Sequence, residues 1–138
     1  MKNKKAAFVD TSGWVAFLHK KDLWHREVKA VIEAYIRSEH VLVTSNFILD
    51  ETITMLRKRI PLDTLIKFVE NLARSSYCNF VEVDRELWNL AWGIFKQYRD
   101  KQFSFTDCTS FAIMREMGID EAISLDRHFD QMGFMRIF

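Results

Sequence analysis

The chain has 138 residues, 49% of them hydrophobic and 14% aromatic, with a net charge of +1. That length suits one domain, over residues 1–138, burying roughly two thirds of its unfolded surface, and four glycines with one proline argue against long irregular loops and disorder. The balanced charge lacks the basic excess expected of a nucleic-acid binder, while twelve Phe and four Trp are more large apolar surface than one core needs, so part of it should face a partner.

The chain opens on a basic run, Met1 to Lys5, followed by Ala6-Ala-Phe-Val9. Four apolar residues are too few for the apolar region of a signal peptide, and no run approaches the length of a membrane span. A cytoplasmic protein with no membrane partner is expected. Lys4 to Val9 ends as a strand buried on both faces should. Asp10 terminates it, and Thr11-Ser12 offers caps for a helix carrying Trp14, Val15, Phe17 and Leu18.

Leu23 to Arg37 reads as an amphipathic helix with Val28, Val31, Ile32 and Tyr35 on one face. His19, Lys20, Lys21, His25 and Arg26 before it form either a solvated helix end or a phosphate-contacting edge. Val41 to Thr44 is a second strand. Ser45 or Asn46 caps a helix from Phe47 to Arg59, buried through Leu49, Thr52, Ile53 and Leu56. Asp50 and Glu51 flank that stripe, and periodicity does not say which of them points into a site. Ile60-Pro61 breaks the helix, and Leu62 to Arg74 follows with Leu65, Ile66, Val69 and Leu72 inward.

Phe80 to Val83 reads as a third strand, and Asp84 caps a helix from Arg85 to Arg99 with Leu87, Trp88, Leu90, Ala91, Ile94 and Phe95 apolar. Ser104 and Thr106 can accept from the first N–H groups of the next helix, which runs to Met117 and is stopped by Gly118. Ala122 to Leu125 is a short buried strand ending at Asp126, and Phe134 to Phe138 is a last one after Gly133. Cys78 and Cys108 have neither metal-ligand spacing nor a disulfide framework. Alternating β and α elements with short buried strands predict an α/β fold, a mainly parallel sheet with helices on both faces.

An acid recurs near the C-terminal end of a strand or in the helix after it: Asp10, Asp50 or Glu51, and Asp126, with Asp107 at a helix head. Each has a structural reading. Asp107 fits an S-x-x-D capping box with Ser104, and Asp126 can cap the turn that follows it. Ligands of open α/β sheets bind at this rim, however, and carboxylates gathered there repel by on the order of 4 kcal/mol per close pair at an effective dielectric near 20. A hard divalent cation relieves that repulsion. Mg²⁺ suits oxygen donors and completes its shell with substrate phosphate, and no His/Cys cluster in the sequence competes for zinc. Sequestering four acids would leave 20 basic side chains against 15 acidic ones, so a polyanion partner is permitted. The chemistry indicated is phosphodiester hydrolysis.

Asp10 in FVDTSGWVAF, Glu51 in NFILDETITML, Asp107 in FSFTDCTSFAIM and Asp126 in AISLDRHFDQMGF together resemble the PIN-domain proteins, and within them the VapC-like toxin ribonucleases of toxin–antitoxin pairs. The resemblance covers nearly the whole chain. It implies a three-layer α/β/α sandwich around a parallel sheet of about five strands. It also implies that Asp10, Glu51, Asp107 and Asp126 are the catalytic and metal-holding quartet for Mg²⁺ or Mn²⁺, with Thr11 and Thr106 as supporting hydroxyls. The family position selects Glu51 over Asp50, and Asp130 competes with Asp126 for the fourth place. The activity implied is a metal-dependent endoribonuclease acting on RNA, a homodimer paired with an antitoxin protein. A housekeeping RNA-processing nuclease and a non-catalytic PIN-like binding module are the alternatives. An aspartyl phosphotransferase fits less well, because Ser12 stands where such enzymes place a second acid.

Overall fold

The computed structural model describes residues 4–138. Five strands form one all-parallel sheet: β1 (Ala6–Val9), β2 (Val41–Ser45), β3 (Cys78–Val81), β4 (Glu121–Ile123) and β5 (Met135–Arg136), in the order β3-β2-β1-β4-β5. Seven helices connect them among the described residues: α1 (Thr11–Leu18), α2 (His25–Arg37), α3 (Asn46–Leu56), α4 (Leu62–Arg74), α5 (Arg85–Gln97), α6 (Phe105–Met117) and α7 (His128–Gln131). The chain steps from β1 outward to β2 and β3, then crosses back to β4 and β5 on the other side. Right-handed crossovers therefore place α1–α4 on one face of the sheet and α5–α7 on the other. The result is the expected α/β/α sandwich. Strand order reverses between β1 and β4, which is where open α/β sheets form their ligand crevice.

Burial follows from position in the sheet. Ala7, Phe8 and Val9 of central β1 are fully buried, as are Leu42 and Val43 of β2 and Ala122 and Ile123 of β4. Edge strand β3 buries only Cys78 and leaves Phe80 exposed. On α6 every residue from Asp107 to Met114 is buried, as expected of a helix with no polar stripe. Gly118 closes it at φ 66°, a left-handed conformation that costs glycine no Cβ clash. Gly13 has a different reason. A Cβ there would stand 2.6 Å from the Ile123 carbonyl oxygen, so its absence lets the first turn of α1 lie directly on the end of β4.

Several expectations are corrected. The third strand is Cys78–Val81, not Phe80–Val83, because Leu42 to Ser45 pair with Cys78 to Val81 and the Val83 N–H instead donates to Asn46 Oδ1 at 2.8 Å. The fourth strand ends at Ile123, short of Leu125, since Ser12 takes the Leu125 N–H. The last is only Met135–Arg136. Helix α2 begins at His25, two residues after the expected Leu23, α3 ends at Leu56 and α5 at Gln97. Ser45, not Asn46, caps α3, accepting from the Ile48 N–H at 3.2 Å. Ile66, expected inward, is exposed, and so are Trp88, Leu90 and Phe95 of the apolar helix α5. Their helices pack by narrower stripes than their composition suggests.

Candidate active site

Three aspartates converge where β1 and β4 end. Asp10 follows β1 directly, and its N–H donates to the Ile123 carbonyl at 3.1 Å, extending the β1–β4 ladder to the rim. Behind it, Thr44 Oγ1 donates to the Val9 carbonyl and accepts from Trp14 Nε1, both at 3.1 Å, which fixes the end of β1 against β2 and α1. Asp10 occupies the N-cap position of α1 without a side-chain cap bond. Its carboxylate is left for other partners: Ser124 Oγ donates to Asp10 Oδ2 at 2.9 Å.

The expected capping by Thr11 and Ser12 is corrected here. Thr11 Oγ1 donates to Glu51 Oε1 at 2.5 Å, and Ser12 Oγ accepts the Leu125 N–H at 2.9 Å. Both hydroxyls tie α1 to neighbouring elements and leave its own N–H groups alone. Glu51 reaches the rim from α3, half-buried, whereas Asp50 is exposed.

Asp107 is both a cap and a member of the cluster. Its N–H donates to Ser104 Oγ at 3.0 Å, and the Ser104 N–H donates back to Asp107 Oδ2 at 3.1 Å, a complete capping box. The same Oδ2 accepts from His128 Nδ1 at 2.8 Å. Asp126 closes the group. Its N–H donates to Ser124 Oγ at 3.0 Å, and its Oδ1 accepts the His128 N–H at 2.9 Å, the geometry of an Asx turn. Asp107, Asp126 and His128 each place a donor atom within 4.8 Å of the other two. Thr106 Oγ1 has no hydrogen bond to these acids among the described residues. Its backbone carbonyl accepts from Thr109 and Ser110. Asp130 faces away, paired with Arg136 Nε at 3.1 Å.

The electrostatics follow from burial. Asp10 is 6% exposed and Asp107 8%. Desolvation pushes the Asp10 carboxyl up to about 7; the negative charges of Asp107 and Asp126 add to this, and the bond from Ser124 opposes it. Asp107 is also raised, by burial first and by Asp126, against the lowering bonds from His128 and the Ser104 N–H.

His128 and Ser124 were missed by sequence reasoning. No spacing rule signals them, because β4 ends at Ile123 and the chain from Ser124 turns into α7, which starts at His128. The expectation of no histidine cluster stands as sequence spacing, but one imidazole does join the acids. A donor set of three carboxylates with one imidazole nearby, two of the acids raised by burial, fits a hard divalent cation better than a zinc site built on Cys and His.

Comparison with known proteins places the chain in a family. The PIN domain model matches residues 7–135. A 23S rRNA-specific endonuclease, VapC20 of Mycobacterium tuberculosis, is 32% identical over 130 residues, covering 94% of this chain and 96% of that one. A VapC ribonuclease of Archaeoglobus fulgidus is 33% identical over 127 residues, covering 90% and 79%. The crystal structure of the M. tuberculosis VapC20, titled a sarcin-ricin loop cleaving toxin, superposes with a TM-score of 0.83 at 32% identity over 94% of this chain and 96% of that chain. FitAcB of Neisseria gonorrhoeae, at 13% identity and TM-score 0.68 over 96% of each chain, shares the fold. The chain belongs to the PIN-domain family, and within it to the VapC-like ribonucleases.

Proposed function

We propose that this protein is a divalent-cation-dependent endoribonuclease of the cytoplasm, the toxin of a toxin–antitoxin pair. The observation that carries the reading is the burial of Asp10 and Asp107 beside Asp126 at the β1/β4 switch point. Asp10, Asp107 and Asp126 would hold Mg²⁺ or Mn²⁺, with Glu51 completing the quartet from the α3 side. A bound ion supplies charge stabilisation to the phosphate and eases the ionisation of water at the site.

The residues themselves do the positioning. Ser124 fixes Asp10 and the Asp126 backbone at once. Thr11 holds one oxygen of Glu51, leaving the other to accept a proton from the attacking water and to orient it. The helix head at Ser104–Asp107 keeps one Asp107 oxygen saturated and presents the other to the cluster. Thr106 supports this head through the backbone. The substrate is RNA. The names of the relatives describe their own targets, and the cleavage site here is a property of this chain's own surface.

Two faces supply the partners. On α5, Trp88, Trp92 and Phe95 are 41–47% exposed and form a continuous ridge with Phe105, Trp88 and Phe105 having centroids 4.6 Å apart. Such a ridge suits a second copy in a homodimer. A cavity of about 400 Å³ between the ends of α1 and α3, with Leu18, Ile60 and Pro61 as its apolar floor and Lys20, Lys21 and Arg59 on its rim, suits a segment of the antitoxin.

The test is cleavage of RNA by purified protein in Mg²⁺ or Mn²⁺, with EDTA stopping the reaction. Asp10→Asn should remain folded and inactive. Activity that survives both EDTA and that substitution would overturn the reading.

A further inference from the structure

His128 lies within the AISLDRHFDQMGF motif but was assigned no role in the site, yet it contacts two of the three clustered aspartates. Its ring Nδ1 lies 2.8 Å from Asp107 Oδ2 and 3.4 Å from Asp126 Oδ1, and its backbone N–H donates to Asp126 Oδ1 at 2.9 Å. The residue is itself locked. Phe129, next in the chain, is fully buried, which anchors the backbone, and the ring of Phe103, also buried, meets the imidazole edge to face at a centroid distance of 5.3 Å. With the Ser104 N–H on the same atom, Asp107 Oδ2 has two donors, and Oδ1 is left without a hydrogen bond among the described residues.

We infer that His128 is a positioning residue: a clamp that sets the spacing and orientation of Asp107 and Asp126 so that their free oxygens converge on one cation. The inference rests on the cation reading above and adds a role within it. Outer-shell donors of this kind fix the orientation of ligating groups, and their loss typically weakens metal affinity by about 10–100-fold. The clamp works through the Nδ1–H donor. Ring bulk is not part of it, and with Nδ1 committed to Asp107 direct ligation is open only to Nε2, which the spectrum of bound Mn²⁺ tests.

Two substitutions separate the donor from the ring. Asparagine carries an N–H₂ group on Cγ, where histidine carries Nδ1, so His128→Asn keeps a donor and loses the ring. His128→Phe keeps a ring against Phe103 and loses the donor. Mn²⁺ alone is titrated calorimetrically into the metal-free full-length protein and each variant, with thermal unfolding in EDTA as a check on folding. His128→Asn should bind close to wild type, and His128→Phe about tenfold more weakly. Electron spin echo modulation of Mn²⁺ bound to the wild type should show no directly bonded nitrogen. That spectrum tests the inference even if His128→Phe does not fold.

Wild-type affinity in His128→Phe, weaker binding in His128→Asn than in His128→Phe, or nitrogen coupling on the bound Mn²⁺ would each overturn the clamp while leaving the cation reading in place. A wild type that takes up no Mn²⁺ would overturn the cation reading itself, and the clamp with it.

Discussion

Two regions of this molecule break the usual partition of side chains, in opposite directions. At the end of β1 and the head of α6, carboxylates are buried; along α5, Trp and Phe are exposed. Each inversion carries a cost that a partner can remove. Among the described residues the acids have hydrogen bonds but no Lys or Arg partner, so desolvation and mutual repulsion remain for a proton or a cation to relieve. The rings pack on one another and still leave apolar area in water, which a protein surface relieves. The lesson is that a candidate site and a candidate interface are recognisable by the same test, which is to ask what each patch lacks.

Removing charge from the first region should have the largest effect. Asp107→Asn or Asp10→Asn should reduce RNA cleavage by at least about 100-fold, the upper end of the loss seen when only an outer-shell partner of a metal is removed. Circular dichroism should show both variants folded. Retained activity in both would detach the buried acids from catalysis.

The metal-free protein should also show the cost of Asp10 as a pH dependence. Its carboxyl is raised from 3.8 to about 7 by burial first, so between those values the folded state holds a proton that the unfolded state has released. The stability contribution is therefore full below about pH 4 and is lost as pH rises through about 7. The shift corresponds to at most about 4 kcal/mol at 1.36 kcal/mol per pH unit. In EDTA, urea unfolding of the wild type should show this fall, and Asp10→Asn should flatten it. Equal slopes in the two proteins would mean that Asp10 is not held in a charged, dry cluster.

In the second region, Trp92→Ala with Trp88→Ala should weaken self-association by about 2 kcal/mol or more if the ridge is the dimer face, as buried Trp anchors do. Analytical ultracentrifugation would show a shift toward monomer with cleavage chemistry per site retained. An unchanged dimer would move the interface elsewhere. The smallest effect is expected from Ser104→Ala, about 1 kcal/mol for a lost N-cap, read as a fall in melting temperature. It tests whether Asp107 depends on its capping box for placement.

Much of this was legible in the chain. The buried strand before Asp10, the unstriped helix after Asp107 and Gly118 as its stop are local patterns, and all three are found in the fold. Edge strand β3 was misplaced because an edge buries little, so Cys78–Val81 carries no run of apolar residues to mark it. Which of the α5 rings are exposed was not legible, because helical spacing says which residues share a face and not whether that face is covered. Asp107 posed a choice between cap and site, and the fold does not force it: Oδ2 alone meets both the capping box and His128. The role of His128 was hidden because it depends on a turn closing over Asp126, a tertiary contact with no periodicity.

The central claim, that the buried acids await a divalent cation, is tested most directly by thermal unfolding with EDTA and with Mn²⁺, without any RNA. Mn²⁺ at 100 times its dissociation constant should stabilise the wild type by about 2.7 kcal/mol, and Asp10→Asn, already relieved of one charge, should be more stable than wild type in EDTA and respond to the ion much less. A wild type whose melting temperature is the same in EDTA and Mn²⁺, with Asp10→Asn no more stable than wild type in EDTA, would contradict the account.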